Sequence, residues 1–432
     1  MLFVAACANG EGLYISSSET QTHSEEPIST PFTESQTQNT VETTTVTSYE
    51  TTMQAIPQTT QPDLEPEQPF VGKIAVITWD KYTADREYYA GEAIVEKYGI
   101  DKVLHVSWPD NVFQLPQRMV NLISKLGSDP DIKVMIINPA LFGTSVAIDK
   151  LKEERDDIFI VYITPYDTAV EIAQKANLAL YVDELGIGPA AVRQAKKLGA
   201  KTFVLYSIPT RSGATFFSNQ RDLVEQECVR LGIKFINTSI PDPYDEHGHI
   251  KTQEFILEDV SKTLDEHGKD TAFFILYDTL ESFLFKAVLE AGAISPHCCT
   301  KNNTYVKSVA YALGMEIGEE YDVEEVIAQE RERLAEKNML GRISAWPDEY
   351  IFPLTIASAD YAVKWINGEV PKDGIDRDVL TQIISEYVGV QAYLTPFING
   401  YHNIDSYQYP EEGIGETYDN YLLMRMDYIT FD

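Results

Sequence analysis

Residues 357–371 read Ala357-Ser358-Ala359-Asp360-Tyr361-Ala362-Val363-Lys364-Trp365-Ile366-Asn367-Gly368-Glu369-Val370-Pro371, a helix that arrives after two complete series of strands and helices. Its position decides between two arrangements. Two βαβ series in succession would suit two independent dinucleotide-type domains. A further helix after both series is extra to that arrangement and leaves room for a second one, in which the chain comes back to its first half.

The two series are legible upstream. Lys73-Ile74-Ala75-Val76-Ile77-Thr78-Trp79 is a continuous apolar run of the kind buried on both faces of a sheet. A helix over about 84–98 follows, then strands at 103–106, 134–137, 158–162 and 178–182, with helices between them. The pattern restarts with a helix begun by Gly188-Pro189, and with strands at 202–206, 235–237 and 272–277. Between them lies a helix that puts Val224, Cys228 and Leu231 on one face. Leu284, Ala287, Val288 and Ala291 make a helical stripe. Ser308-Val309-Ala310-Tyr311-Ala312-Leu313 reads as the last strand. Strands alternating with helices imply parallel sheets with right-handed crossovers.

The returning stretch 357–371 resembles the late helix of type I periplasmic binding proteins, which packs back on the first lobe. Phe274-Ile275-Leu276-Tyr277-Asp278, with the helix ending Ala287-Val288-Leu289-Glu290-Ala291-Gly292, is similar to that family's strand–Asp–helix unit. As a whole the chain resembles clostridial-type surface lipoproteins of this fold. The resemblance implies an α/β protein of two Rossmann-like, doubly wound lobes joined by a hinge. Residues 71–185 and 350–432 would form the first lobe, and residues 186–349 the second with the crossover. Trp346-Pro347 is then a hinge candidate. The run Tyr421-Leu422-Leu423-Met424 would add to an edge of the first lobe.

The first seventy residues differ in kind. Met1-Leu2-Phe3-Val4-Ala5-Ala6-Cys7 resembles the end of a bacterial lipoprotein signal, whose cysteine is lipidated; only six residues precede it and none is basic, so the signal reads as truncated at a misplaced start. Residues 8–70, rich in Ser, Thr, Glu, Gln and Pro, cannot bury enough surface to fold and read as a tether. As a flexible coil, such a tether spans about 45 Å. The expected location is the outer face of the membrane of a Gram-positive type of bacterium. The formal net charge of −33 opposes nucleic acid as a partner. Cys7, Cys228, Cys298 and Cys299 show no zinc or redox spacing. His247 and His249 read as a solvated turn, Gly186-Ile187-Gly188 lacks the third glycine of a dinucleotide loop, and no P-loop or nucleophile-elbow motif occurs.

In doubly wound sheets, ligands sit beyond the carboxyl ends of strands. The candidates are therefore Trp79 and Asp80 after the first strand, Asn138 and Phe142 after the third, and Thr164 and Tyr166 after the fourth. In the second lobe they are Ser207, Thr210, Arg211 and Asp278. Trp79 offers a flat face for a ring, with packing on its own helix as the alternative. Asp80 offers an acceptor for hydroxyls or amines. Thr144 or Ser145 reads as a helix cap. Arg211 would clamp an anion or form a structural ion pair. Asp278 matches the family's ligand-holding aspartate, with a helix N-cap as the alternative. Trp108 lies on the side away from the cleft and is left out.

The reading is a monomeric solute-binding protein rather than an enzyme, without cofactor, that hands a small polar or ring-bearing solute (a sugar, a nucleoside or similar) to an ABC permease and its ATPase. A ligand sensor docking on a membrane receptor is the alternative, and a surface α/β enzyme a more distant one. Expressed behind a complete signal in a bacterial host, the protein should partition into membranes and Cys7→Ser should release it. Equal solubility of the two forms would sink the anchor.

Overall fold

The computed structural model of the 432-residue chain describes residues 70–208, 215–296, 305–317, 323–347, 350–399 and 415–432. Cys7, Thr210, Arg211, Cys298 and Cys299 lie outside these residues.

The first half runs β1 (Lys73–Thr78), α1 (Asp85–Tyr98), β2 (Val103–Ser107), α2 (Gln117–Gly127), β3 (Ile132–Ile137), α3 (Thr144–Lys152), β4 (Phe159–Ile163), α4 (Ala169–Lys175) and β5 (Leu178–Val182). The second runs α5 (Glu184–Lys197), β6 (Thr202–Ser207), α6 (Thr215–Leu231), β7 (Lys234–Ser239), α7 (Gly248–His267), β8 (Thr271–Ile275) and α8 (Asp278–Ala291). It ends with β9 (Ser295–Pro296), α9 (Tyr305–Ala312), α10 (Val323–Glu336) and β10 (Ile343–Ala345). The chain then returns through α11 (Ile351–Asn367), α12 (Arg377–Val388), β11 (Ala392–Ile398), β12 (Thr417–Met426) and β13 (Ile429–Thr430).

The first sheet is ordered β11-β12-β5-β4-β3-β1-β2, parallel except for β11, which runs antiparallel to β12 at the edge. The second has β7-β6-β8 in parallel, and Ile294 bridges β8 to the ribbon β9-β10-β13. Both sheets are α/β doubly wound in the type I periplasmic-binding-protein manner. In each, strand order reverses beside the first strand, between β1 and β3 and between β6 and β8. Every residue of β4 and of β8 is buried, because helices cover both faces. The face of the first sheet under α2 and α3 has its own core, including Trp108, Met119 and Ile148. A second core, under α1 and α11, runs on through Trp346 into the other lobe. Cys228 belongs to that core, and burial pushes its thiol up to about 12.

Three elements differ from the sequence reading. Residues 308–313, read as a strand, lie in helix α9 and its end: Val309, Ala310 and Leu313 are buried while Tyr311 is exposed, a helical spacing. Short apolar runs do not separate buried helix from buried strand. The helix read as starting at Gly188-Pro189 starts at Glu184, where Asp183 caps it by accepting the Gly186 N–H at 2.9 Å. Pro189 is tolerated inside at the loss of one helix bond. Gly188 lets α6 come close, since a Cβ there would lie 2.5 Å from Val224 Cγ2. The tail does not stay on one sheet either. Tyr421–Met424 pairs with β5, whereas β13 leaves to pair antiparallel with β10.

The chain thus passes between the lobes three times: at Asp183, at Trp346, and at Asp427-Tyr428. Asp183 and Arg425 tie the first passage to the third, with the Asp183 N–H on the Met424 carbonyl at 2.9 Å and Arg425 Nε 2.9 Å from Asp183 Oδ2. Trp346 and Tyr428 tie the second to the third, their rings 6.3 Å apart.

Glu330 on α10 is fully buried in the second lobe with neither oxygen in a hydrogen bond of good geometry. Burial pushes its carboxyl up to about 9, opposed weakly by the Ala310 backbone. Below about pH 4.5 folded and unfolded chains both hold this proton. Above that only the folded chain does, so this group's contribution to stability falls as pH rises toward 9. The penalty reaches roughly 3 kcal/mol at pH 7. Glu330→Gln should flatten the fall of unfolding free energy between about pH 5 and 9, read by urea titration at each pH. An unchanged slope would show that Glu330 is not the group responsible.

Candidate functional site

The turning point of the first sheet is built from the ends of β1 and β3. Thr78, the last residue of β1, is fully buried; its hydroxyl donates to the Trp79 carbonyl at 2.7 Å and lies 2.8 Å from His105 Nε2. The other ring nitrogen of His105 is 2.6 Å from Glu92 Oε1. Above this chain of bonds Trp79 is half-buried, its ring 6.0 Å from that of Phe113. Asp80 turns back into its own loop: it accepts from the backbone N–H groups of Tyr82 and Thr83 and from the Thr83 hydroxyl. The Thr83 hydroxyl, foremost, holds its carboxyl below the usual range.

Asn138, after β3, is buried and precedes a cis bond to Pro139. Its Nδ2 donates to Thr355 Oγ1 of α11 at 2.7 Å, so it faces the returning helix. Trp108, left out by the sequence reading, donates its indole N–H to the Pro139 carbonyl at 3.1 Å and props this turn from the β2 side. Farther on, Phe142 is 57% exposed and stacks on Tyr166, centroids 5.6 Å apart and planes 26° apart.

Thr164, after β4, is buried with φ at +48°, a region that β-branched residues rarely enter. That turn brings the Tyr166 N–H to the Ala140 carbonyl at 2.8 Å and so joins the two aromatic loops. Asp167 completes the join. Its oxygens accept the N–H groups of Gly143 and Ser145, each at 2.7 Å, at the start of α3. The cap read as Thr144 or Ser145 is therefore supplied across space by the next loop, while both of those residues are buried.

In the second lobe, Ser207 ends β6 and is half-buried. With Tyr206, Phe217, Arg221 and Tyr277 it lines a cavity of about 20 Å³ at the strand ends. Phe217 and Tyr277 stack at 5.7 Å and 26°. Arg221 donates through Nε and Nη2 to Asp222 Oδ1. Sequence reading missed Arg221 and Phe217 because both sit inside a helix, past the loop it searched. Asp278 is the first residue of α8, directly after Tyr277; its side chain, like Thr210 and Arg211, lies outside the described ones.

The structure thus gathers Trp79, Phe142 and Tyr166 into aromatic clusters at the end of the first sheet, and turns Asp80 and Asn138 into scaffold. No group of three metal-ligating side chains occurs among the described residues.

The profile of the DUF3798 family, described as a protein of unknown function, matches residues 72–344. A Treponema pallidum (strain Nichols) protein, itself described as uncharacterised, is 26% identical over 169 residues, covering 39% of this chain and 78% of the relative. Among solved structures, a candidate transcriptional regulator from Clostridium difficile 630 superposes with a TM-score of 0.71 at 19% identity, over 84% of this chain and 99% of its own. An ABC transporter periplasmic solute-binding protein from Actinobacillus succinogenes 130z with bound D-allose gives a TM-score of 0.40 at 14% identity, over 72% and 99%. The likeness to the Clostridium difficile structure concerns the fold alone.

Asp167→Ala removes the acceptor for two backbone donors at a helix start, a change that typically costs about 1–2 kcal/mol. The variant should melt a few degrees below the wild type. An unchanged melting curve would show that the Asp167 bonds do not hold the two aromatic loops together.

Proposed function

Since the chain belongs to the DUF3798 family of proteins of unknown function, we propose its role from its own geometry: it captures a small solute between its two lobes. The observation that carries this reading is the placing of stacked aromatic pairs at the strand ends of both sheets, Phe142 with Tyr166 and Phe217 with Tyr277, in lobes linked by three short passages. Such linkage suits hinge closure around a ligand. Tethered by a lipid on Cys7 at the outer face of the membrane, the protein would pass its solute to an ABC permease and ATPase. Asp278, at the start of α8, and Arg211, which lies outside the described residues, are proposed to hold polar groups of the same solute.

Binding is favoured over catalysis by the state of Thr78. Thr78, His105 and Glu92 stand in the order of a nucleophile, a base and its orienting acid. Yet the Thr78 hydroxyl is sealed and gives its proton to the Trp79 carbonyl. A substrate has no access to it. The Clostridium difficile structure named as a candidate transcriptional regulator shares the fold alone, and on that fold a ligand sensor acting on a membrane partner is a second reading. Direct DNA contact is opposed by the net charge of −33.

A thermal-shift screen over sugars, nucleosides, free bases, vitamins and amino acids tests the reading. A ligand at one hundred times its Kd adds about 2.7 kcal/mol to stability and raises the melting point by a few degrees. Small-angle scattering with that ligand should show a smaller radius of gyration. A cooperatively melting protein that no member of the screen shifts would overturn the proposal.

A further inference from the structure

Resting on the solute-binding reading, we infer that the ligand is a flat, unsaturated heterocycle, of the size of a nucleobase or a fused two- or three-ring system, rather than a sugar. The first lobe has few polar side chains to offer a sugar at its strand ends. Sugars are held by planar polar groups that bind pairs of hydroxyls. At the ends of β1, β3 and β4 the carboxylates of Asp80 and Asp167 and the amide N–H of Asn138 are engaged elsewhere. The Asp80 carboxylate accepts three bonds from its own loop. Asn138 is sealed from solvent with its Nδ2 on Thr355, its Oδ1 having no partner among the described residues. Both oxygens of Asp167 hold the start of α3.

Rings stand in water on the same loops. Phe142 is 57% exposed against Tyr166, and Phe113 is 49% exposed beside Trp79. Large rings left in water at the two loops of a turning point mark a place where something flat is covered. The second lobe repeats the motif, with Phe217 on Tyr277 and the Arg221 guanidinium lining the same cavity. Flat walls on both lobes would enclose the faces of a ring system, and Arg221, whose Nε and Nη2 are held by Asp222, would offer its Nη1 to an acceptor on the ring edge, such as a ring carbonyl or ring nitrogen.

The backbone supports the same use. Thr164 holds its left-handed conformation where Tyr166 must be delivered beneath Phe142, and a non-glycine residue in that region is retained only where its surroundings hold it there. The bonds from Tyr166 to Ala140 and from Asp167 to Gly143 then fix the two rings as one surface.

Calorimetric titration of the full chain with adenine, guanosine and lumichrome, against D-ribose and D-glucose, tests this. At least one heterocycle should bind and both sugars should fail. Phe142→Ala and Tyr166→Ala should each weaken the heterocycle about ten-fold. Tyr166→Phe, which keeps the flat face, should bind nearly as well. Phe142 is exposed, so its alanine variant should keep the wild-type melting point and stays informative if Tyr166→Ala fails to fold. Binding of D-ribose or D-glucose, with none of a heterocycle, overturns the ligand class and leaves solute capture standing. Heterocycle binding that Phe142→Ala does not alter overturns the placement. No heat from any of the five compounds overturns the ligand class. Solute capture itself falls only if the wider thermal screen is silent too.

Discussion

The structure depends on one buried carboxylate. Asp360 of α11 accepts Lys97 Nζ at 2.8 Å, the Tyr98 hydroxyl at 2.7 Å and the Tyr387 hydroxyl at 2.6 Å, and so binds the returning helix to α1 and α12. Burial pushes its carboxyl up more strongly than Lys97 and the two hydroxyls pull it down. A carboxylate in that position is tolerable only while all three partners stay in place, since removing one partner of a buried pair leaves an uncompensated charge. The arrangement specifies where α11 docks as well as holding it there. Once α11 is docked, everything between β5 and α11 is an insertion that must leave the first lobe and return to it.

The same helix supports the site. Thr355, one turn into α11, gives its hydroxyl to the Ile351 carbonyl and takes the amide of Asn138. Asn138 in turn anchors the turn that Trp108 props from the other side. The candidate ligand surface is therefore a few bonds from the passages between the lobes. Asp183 with Arg425, and Trp346 with Tyr428, gather those passages into one hinge. Closure would bend these few residues while each sheet moves as a body, because close-packed interiors do not deform continuously.

Polar residues near the strand ends spend their hydrogen bonds on loop geometry and leave aromatic faces outside. Rigid loops bind with less ordering entropy than mobile ones. Here the rigidity comes from side chains that, in a row of letters, look like ligand acceptors. Asp80, Asn138 and Asp167 each look available until their partners are seen, at distances in sequence from two residues to 217.

By itself the sequence determined the α/β class and the parallel runs, because continuous apolar strands, helical stripes and their order are local or nearly local signals; the return of α11 was legible only as a resemblance to a known fold. The sequence also determined which loops follow strand ends, and so that Trp79, Phe142 and Tyr166 lie on strand-end loops of the first sheet. Only the tertiary structure decided what those loops expose. The cap that Asp167 gives to α3, the Trp108 prop and the Phe217 wall depend on contacts between elements remote in sequence, which no periodicity encodes. The same holds for α9: an apolar stretch of six residues is compatible with helix or strand, and the buried neighbours of Val309 and Leu313 chose the helix. The edge strand β11 gave little warning, since alternation half-exposed to solvent and interrupted by Pro396 marks a strand only once β12 lies beside it.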